Sequence, residues 1–256
     1  MKPRISVVVC TRTPSPDSIH RKNVLKTVGI PDVEYLLIDN SRGDFSLSAA
    51  YNEGVRRSTG AIIVFVHDDV FFAEGNWGNV LVEKFRDPGL GLVGVAGSSY
   101  LFADNPGWVL AGRPYIHGQV IHELNGGDTY HLTVFSWEKE DAEVVAVDGL
   151  FFAIRRSLFD TVRFDEITFD GFHFYDLDIC MQVRRLARCI VTKDILVKHQ
   201  SGGAFREVWK EYAGRFVQKY RNELPATCVS TVPDLSNRIG FENYDLKGKA
   251  PQVTIV

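Results

Sequence analysis

The sequence lacks the features that mark several classes of protein. Its net charge is only −3, which gives no electrostatic reason to expect nucleic acid or an anionic membrane as a partner. The four cysteines are scattered without a C-x-x-C pair, which favours reduced core thiols in a cytosolic protein. The amino-terminal apolar run is too short for a signal peptide, and no later run reaches membrane-spanning length. We therefore expect a cytoplasmic protein, and leave open both its oligomeric state and peripheral contact with the inner face of a membrane.

What the sequence does contain is typical of a soluble globular protein. Hydrophobic residues make up 45% of the chain and charged residues 24%. A length of 256 residues is long for one domain and short for two, and we find no internal repeats or low-complexity tracts. The sequence therefore predicts a single domain over residues 1–256.

Short β-branched runs alternate with helix-like segments along most of the chain. Continuous apolar strands separated by helices predict a parallel sheet covered on both faces. The predicted strands are 4–10, 33–40, 61–66, 90–97, part of 142–160 and 189–199, and the predicted helices are 17–29, 46–60, 77–87, 174–188 and 204–224. Residues 98–145 are rich in glycine, proline and aromatic residues, and we interpret them as an insertion containing an antiparallel pair, 119–125 with 129–140.

Polar side chains follow three of the predicted strands. The segment that begins at Thr11 follows the first strand, Asp39 lies at the end of the second, and His67, Asp68 and Asp69 follow the third. Ligands bind beyond the carboxyl ends of the strands in sheets of this kind. The three groups therefore predict a pocket at one edge of the sheet.

His67, Asp68 and Asp69 crowd two carboxylates and an imidazole at the end of a buried strand. One explanation is a solvated loop in which Asp68 or Asp69 caps the next helix. The other is a divalent cation, because magnesium, manganese and calcium favour oxygen ligands and manganese also accepts imidazole. The three residues alone do not decide between the two.

The order of these segments resembles the GT-A fold of family 2 glycosyltransferases. The stretches "ISVVVCTRTPS", "VEYLLIDNS" and "YNEGVRRSTGAIIVFVHDDV" resemble its nucleotide-binding half, and "VDGLFFAIRRSLFDTVRFDE", "FYDLDICMQVRRL" and "LVKHQSG" resemble its acceptor half. The match covers residues 4–97 and 144–203 in the right order. It implies an α/β fold of GT-A type (Rossmann-like), with a mostly parallel central sheet flanked by helices and a small antiparallel insertion.

The resemblance also implies a division of the chain and an activity. It gives a nucleotide-sugar-binding half (1–97), an insertion lining the acceptor side (98–145), an acceptor or catalytic half (146–224) and a carboxyl-terminal tail (225–256). The implied activity is a metal-dependent, inverting hexosyl transfer in polysaccharide or glycoconjugate synthesis. The donor would be a nucleotide-diphosphate sugar held with Mn²⁺ or Mg²⁺, and the acceptor a hydroxyl of a carbohydrate or a lipid-linked molecule.

Donor and metal roles carry over from the resemblance to particular positions. Asp69 aligns with the last Asp of the D-x-D motif, a metal ligand, and His67 replaces the first Asp, where an imidazole can still contact a ribose or ligate manganese. Asp68 is a secondary candidate, and His199 aligns with a histidine that completes the metal site in some relatives, although a structural role for it is equally open. Five further residues are expected on the donor side: Thr11, Arg12, Asp39, which would contact the nucleobase, Asn52 and Gly149.

Asp176 is the expected general base. It aligns with the Asp of the family's Glu-Asp pair, and Tyr175 stands in place of the Glu. A carboxylate there would take the proton of the acceptor hydroxyl, although the same residue could also cap the helix that starts nearby. Asp178, two residues on, is expected to point elsewhere around the helix. Arg155 and Arg156 are candidates for phosphate contacts, with a solvated basic face as the alternative.

Three other functions are alternatives to glycosyl transfer. A nucleotidyltransferase on a related sheet would want a glycine-rich loop after the first strand, and "TRTPSPDS" contains no glycine. A degenerate, non-catalytic carbohydrate-binding or partner-binding member stays open because of His67 and Tyr175. A dinucleotide-binding oxidoreductase is disfavoured, since no G-x-G-x-x-G follows the first strand.

Overall fold

The computed structural model describes residues 5–124, 129–200, 207–230, 240–246 and 252–253. Parts of several predicted segments lie outside these ranges: position 4 of the first strand, position 125 of the insertion, 204–206 of the last helix and much of the tail. Elements are numbered in chain order. The helices are α1 (Ile19–Thr27), α2 (Leu47–Arg57), α3 (Trp77–Lys84), α4 (Tyr175–Val183) and α5 (Glu207–Tyr220), with 3₁₀ turns at Trp108–Ala111 and Arg156–Asp160.

A seven-stranded sheet forms the centre of the structure. Its strands are β1 (Ile5–Thr11), β2 (Val33–Asp39), β3 (Ile62–Val66), β5 (Leu90–Gly94), β10 (Ala142–Val144), β12 (Phe151–Arg155) and β13 (Arg188–Val191). Their order is β10-β13-β5-β12-β3-β1-β2. Strands β2, β1, β3, β5 and β13 share one direction, whereas β12 and β10 run opposite to their neighbours. The prediction of a mostly parallel α/β sheet is confirmed.

The central sheet is covered on both faces, which explains its continuous apolar strands. Val7 and Val9 of β1 pack with residues of α1 and α3, while Val8 packs on the opposite face with residues of α2 and α4. Side chains alternate between faces along a strand, so every position of β1 from Ile5 to Val9 is buried. Helix α5 forms an outer layer on α4, where Phe216 contacts the same cluster as Met181.

A second, eight-stranded sheet is larger than the expected insertion. It contains β4 (Val70–Phe72), β6 (Ala96–Ser98), β8 (Ile116–Leu124), β9 (Thr129–Val134), β11 (Ala146–Val147), β14 (Val197–His199), β16 (Glu242–Asp245) and β17 (Gln252–Val253). The predicted antiparallel pair is confirmed as β8 and β9. Strands from the tail and from both halves of the chain extend it. A third, two-stranded sheet pairs β7 (Tyr100–Leu101) with β15 (Ala226–Thr227).

Two predicted strand regions are divided in the structure. The sequence predicts a strand followed by a short helix over 142–160, and strand over 189–199. Residues 142–160 form three short strands and a 3₁₀ turn, because the chain leaves the sheet at Asp148, whose carboxylate accepts a hydrogen bond from the backbone N–H of Leu150 (2.9 Å). Residues 189–199 divide into β13 and β14, which belong to different sheets. The first helix, predicted over 17–29, begins after Ser18, whose side chain accepts a hydrogen bond from the backbone N–H of Arg21 and caps the helix.

The Asn-x-Gly stretch of α2 holds that helix in place. The Asn52 side-chain amide donates to the carbonyl of Phe164 (2.9 Å), and its oxygen accepts from the N–H of the same residue (3.1 Å). Gly54 faces β1 so closely that a Cβ would lie 2.2 Å from Cγ1 of Val8. Both residues therefore fix α2 against its neighbours.

A pair of Gly→Ala substitutions should have opposite effects on stability. Gly54→Ala should lower the free energy of unfolding by about 1–3 kcal/mol, because the new methyl group overpacks the helix against Val8. Gly214→Ala, in α5 with no atom within 4 Å of the added carbon, should raise it by up to about 1 kcal/mol. Urea denaturation measures both, and equal shifts in the two midpoints would contradict the close approach at Gly54.

Candidate active site

The turn between β3 and β4 places the acidic cluster beside β14. The N–H of Val70 donates to the carbonyl of His67 (3.2 Å), which closes the turn. Strand β4 pairs antiparallel with β14, with Val70 opposite His199, and the N–H of Gln200 donates to the carbonyl of Asp69 (3.0 Å). Two segments 130 residues apart in sequence therefore meet, and the alternative in which an Asp of this turn caps a helix is wrong, because a strand follows.

His67, Asp69 and His199 form a cluster that could hold a metal ion. Each offers one nitrogen or oxygen ligand atom, and these atoms all lie within 4.8 Å of one another. Nε2 of His199 lies 3.5 Å from a carboxylate oxygen of Asp69. Asp68 is exposed and outside this cluster. The cluster supplies two imidazoles and one carboxylate, a set that suits a first-row transition metal.

Tyr175 contacts the cluster from α4. Its hydroxyl lies 2.7 Å from Nε2 of His67. Burial raises the pKa of the Tyr175 phenol well above its usual range, so it stays protonated. Burial and the neighbouring His199 lower the pKa of His67, which favours the neutral imidazole that metals bind.

Asp176 lies at the first turn of α4, on the wall of the same pocket. Its Oδ1 accepts from the N–H of Leu177 (2.9 Å), whereas the residue that caps the helix is Phe174, in the left-handed conformation at φ 64°. Burial, together with the charge of Asp148, raises the pKa of Asp176 to about 7. A carboxylate with its pKa near neutrality is suited to take a proton.

Gly149 makes room for the side chains at the start of α4. A Cβ at this position would lie 2.0 Å from the hydroxyl of Tyr175 and 2.9 Å from Oδ2 of Asp176. The neighbouring Asp148 is engaged differently from Asp176, because its Oδ1 accepts from Leu150 and its Oδ2 from the indole N–H of Trp108 (3.2 Å).

A cavity of about 280 Å³ brings these groups together. Its lining includes two candidate metal ligands, His67 and His199, and two carboxylates, Asp148 and Asp176. The other lining residues are mostly aromatic: Gly107, Trp108, His122, Gly149, Leu150, Phe172, His173, Phe174, Tyr175, Leu177 and Trp209. Most of a small ligand's surface can be buried in such a pocket, with a few polar groups to orient it.

His122 and two tryptophans in this pocket were not foreseen from the sequence. His122 faces His199, with ring centroids 5.7 Å apart, because β8 pairs with β14 in that register. A lone histidine in a strand carries no sequence signal for this role. Trp108 and Trp209 lie in a glycine-rich segment and on an amphipathic helix, where the density of aromatic residues was the only hint.

The expected nucleoside-side residues lie at the same edge of the central sheet. Thr11 and Asp39 end β1 and β2 opposite one another. Asp39 is exposed, and a hydrogen bond from the N–H of Ser41 lowers the pKa of its carboxyl. The guanidinium of Arg12 lies 5.4 Å from the ring centre of Phe172, which lines the cavity.

Other side chains lie away from the pocket. Arg155 donates to carbonyls of the α3–β5 connection, and Arg156 to Ser58, at the far edge of the sheet, so the hypothesis of phosphate contacts is wrong for both. Asn52 is engaged with Phe164, as described above. Asp178 turns away from Asp176, as expected, and binds Lys219 and Tyr220 of α5.

Asp176 should make stability depend on pH in one direction. The ordinary pKa of an aspartate is 3.8, whereas the pKa of Asp176 in the folded chain is about 7, so folding favours its protonated form. The free energy of unfolding should therefore fall as the pH rises from about 4 to 7. Asp176→Asn does not titrate, so its stability relative to the natural chain should increase by about 3 kcal/mol between pH 5 and pH 8, because the natural chain loses about 1.4 kcal/mol per pH unit until the pH reaches the pKa of about 7. Denaturation at the two pH values measures this.

Asp170→Asn is the matched control for this effect. The hydroxyl of Tyr212 and the guanidinium of Arg215 lower the pKa of Asp170, so this carboxyl is ionised throughout that range. The stability difference between Asp170→Asn and the natural chain should therefore be constant from pH 5 to 8. A constant difference for Asp176→Asn as well would contradict the raised pKa.

Among the described residues, no helix has both the length and the apolarity needed to span a bilayer.

Comparison with solved structures identifies the fold. The chain is similar to GalNAc-T7 with UDP, GalNAc and Mn²⁺ (TM-score 0.56, 12% identity, 86% of this chain and 48% of that one). It is also similar to the mannosyltransferase PcManGT from Pyrobaculum calidifontis in complex with GDP-Man and Mn²⁺ (TM-score 0.51, 14% identity, 88% of this chain and 65% of that one). The chain thus covers less than two thirds of either protein, and the shared fold is the GT-A fold.

Sequence comparison gives the family. A protein of Fuscovulum blasticum, "ATP synthase subunits region ORF 6", is 24% identical over 212 residues, which are 79% of this chain and 77% of that protein. Residues 19–220 match the model of the glycosyltransferase-like family, and this span contains the whole His67, Asp69 and His199 cluster as well as Asp176. The chain belongs to the glycosyltransferase-like family.

Proposed function

We propose that the protein is a metal-dependent, inverting glycosyltransferase that moves a sugar from a nucleotide-diphosphate donor to an acceptor hydroxyl. One observation carries the proposal: His67 and His199, which form a cluster with Asp69, line the same pocket as Asp176, a carboxylate whose pKa is about 7. A cation site and a base are the two groups that this reaction needs.

The cluster would hold the cation. Neutral imidazoles and a carboxylate are good ligands for Mn²⁺, the ion present in both similar structures, and the charge of that ion would neutralise the two phosphates of the leaving group. Asp68 is exposed and outside the cluster, and we leave it out of the ligand set.

Asp176 would act as the base. The acceptor oxygen forms a bond to the anomeric carbon while the bond from that carbon to the donor's phosphate oxygen breaks. The hydroxyl proton passes to the carboxylate of Asp176, and the electron pair of the broken bond leaves with the nucleoside diphosphate. A single carboxylate suffices because attack comes from the face opposite the leaving group, which inverts the anomeric centre.

The remaining walls suggest how the two substrates are arranged. Thr11, Arg12 and Asp39 would border the nucleoside, at the ends of β1 and β2 beside the cavity. Gly149 would let the donor sugar approach the backbone. Trp108 and Trp209 line the cavity, and aromatic rings of this kind can stack on an acceptor sugar. A carbohydrate or lipid-linked acceptor is consistent with these surfaces.

Isothermal titration calorimetry tests the proposal. The protein is titrated with UDP and with GDP, each in the presence of Mn²⁺ and then with the metal removed by chelation. We expect one nucleoside diphosphate to bind, and its binding to require the metal. Absence of metal-dependent binding for every nucleoside diphosphate tried would refute the proposal.

A further inference from the structure

Two residues that differ from the family's motifs, His67 and Tyr175, contact each other. His67 stands in place of the first Asp of D-x-D, and Tyr175 in place of the Glu that precedes the base. In the folded chain the Tyr175 hydroxyl is 2.7 Å from Nε2 of His67. Tyr175, which departs from the motif of the base, thus contacts His67, which departs from the motif of the metal site.

The Tyr175 hydroxyl is fixed in position by its surroundings. The side chain is 3% exposed, and its ring packs edge-on against Tyr51, with ring centroids 5.5 Å apart. The backbone of Gly149 closes over the phenol, since a Cβ there would lie 2.0 Å from the hydroxyl oxygen. The hydroxyl therefore cannot move away from His67 without unpacking the core.

A hydrogen bond at one ring nitrogen decides what the other nitrogen can do. A histidine that ligates a metal normally donates its second N–H to a fixed acceptor, which sets the tautomer and the ring orientation. When Nε2–H of His67 donates to the phenol oxygen, Nδ1 carries the lone pair and is the nitrogen left for a cation.

The cluster's donor atoms differ from an all-oxygen set. His67, Asp69 and His199 offer two imidazole nitrogens and one carboxylate oxygen. Mg²⁺ prefers oxygen ligands and is usually bound through carboxylates and phosphates. Imidazole suits the transition metals, whose affinity for mixed nitrogen and oxygen sites rises from Mn²⁺ to Co²⁺.

We propose that Tyr175 is a positioning residue that holds His67 as a cation ligand, and that the resulting site binds Mn²⁺ or Co²⁺ in preference to Mg²⁺. The inference rests on the proposed function only in taking this cluster as the cation site. It adds a metal selectivity and assigns it to two residues.

Calorimetric titration of the natural chain with Mn²⁺, Co²⁺ and Mg²⁺, each alone, tests the selectivity. We expect Mn²⁺ to bind at least about tenfold more tightly than Mg²⁺. Tyr175→Phe keeps the buried ring and removes the hydroxyl, and should weaken Mn²⁺ binding by about 10–100-fold. In the Co²⁺ form, the ligand-field absorption bands should also change in this variant.

Tyr51→Phe is the matched control. Tyr51 packs in the same aromatic cluster, and its buried hydroxyl has no hydrogen-bond partner within the described part of the chain. This variant should bind Mn²⁺ like the natural chain. Equal Mn²⁺ affinities in Tyr175→Phe and Tyr51→Phe would overturn the positioning role.

His67→Asp provides a second test that does not depend on Tyr175→Phe folding. It restores a carboxylate, and should shift selectivity toward Mg²⁺. Equal affinities of the natural chain for Mn²⁺ and Mg²⁺, or an unchanged preference in His67→Asp, would overturn the inference. The proposed function is separately testable, because nucleoside diphosphate binding that Mg²⁺ supports as well as Mn²⁺ would leave it standing while the selectivity fails.

Discussion

Asp176→Asn should lower the rate of sugar transfer by about 10²–10⁴-fold, the contribution typical of a positioned general base. Asparagine keeps the shape of the side chain but cannot accept the acceptor's proton. Binding of Mn²⁺ and of the nucleoside diphosphate should be unchanged, because Asp176 is not part of the His67, Asp69 and His199 cluster. The measurement is release of nucleoside diphosphate from a panel of nucleotide sugars, with calorimetry for binding.

Asp178→Asn is the control for this loss. Asp178 lies on the same helix, but its carboxylate binds Lys219 and Tyr220 of α5 and does not line the cavity. Its substitution should leave the transfer rate close to that of the natural chain. Activity retained in Asp176→Asn would contradict the role of base, and absence of activity in the natural chain would instead favour a non-catalytic, carbohydrate-binding member of the family.

Substitution of Asp69 or His199 should remove metal-dependent binding of the nucleoside diphosphate. Changing a residue that only supports a metal ligand commonly costs 10–100-fold in metal affinity, so loss of a direct ligand in Asp69→Asn or His199→Ala should cost more than about 100-fold. Asp69 is the cluster's only carboxylate, and His199 is held within 3.5 Å of it by the pairing of β4 and β14. Titration of each variant with Mn²⁺ and then with UDP or GDP measures the effect.

Asp68→Asn makes the same change of charge one residue away. Asp68 is exposed and outside the cluster, so this variant should bind the metal and the nucleotide nearly as well as the natural chain. If Asp68→Asn were as damaging as Asp69→Asn, the effect would come from the net charge of the turn and not from a defined ligand set.

The sequence predicted the edge of the sheet at which the candidate site lies because strand direction is readable from it. Apolar runs that end in polar residues, separated by helices, have few arrangements other than a parallel sheet with those residues at one edge. Thr11, Asp39 and His67 are all found there. The order of motifs then supplied the candidate roles of Asp69, His199 and Asp176.

Contacts between distant segments could not be read in the same way. Strand β4 has three residues, too few for a periodic pattern, yet its pairing with β14 is what brings Asp69 to His199. His122 reaches the pocket only through the register of β8 with β14. The contact of His67 with Tyr175 joins positions 108 apart, and neither residue type predicts the other.

Local chemistry also gave two misleading signals. Asn52 belongs to a stretch that resembles a donor-binding motif, but its amide binds the backbone of Phe164 and the carboxylate of Glu166, which fixes α2 in place. Arg155 ends β12 and Arg156 follows it, and because β12 runs opposite to β3, both lie at the far edge of the sheet from the pocket. The order of the segments in the sequence did not show that β12 is antiparallel to β3.

A crystal structure of the protein with Mn²⁺ and the nucleoside diphosphate that binds it, with anomalous diffraction recorded at the manganese edge, tests directly whether the His67, Asp69 and His199 cluster is the metal site. We expect one strong anomalous peak in coordinating contact with His67, Asp69 and His199 and with the diphosphate, and Asp176 facing the open side of the same pocket. A peak elsewhere, or a nucleotide bound away from this cluster, would contradict this expectation.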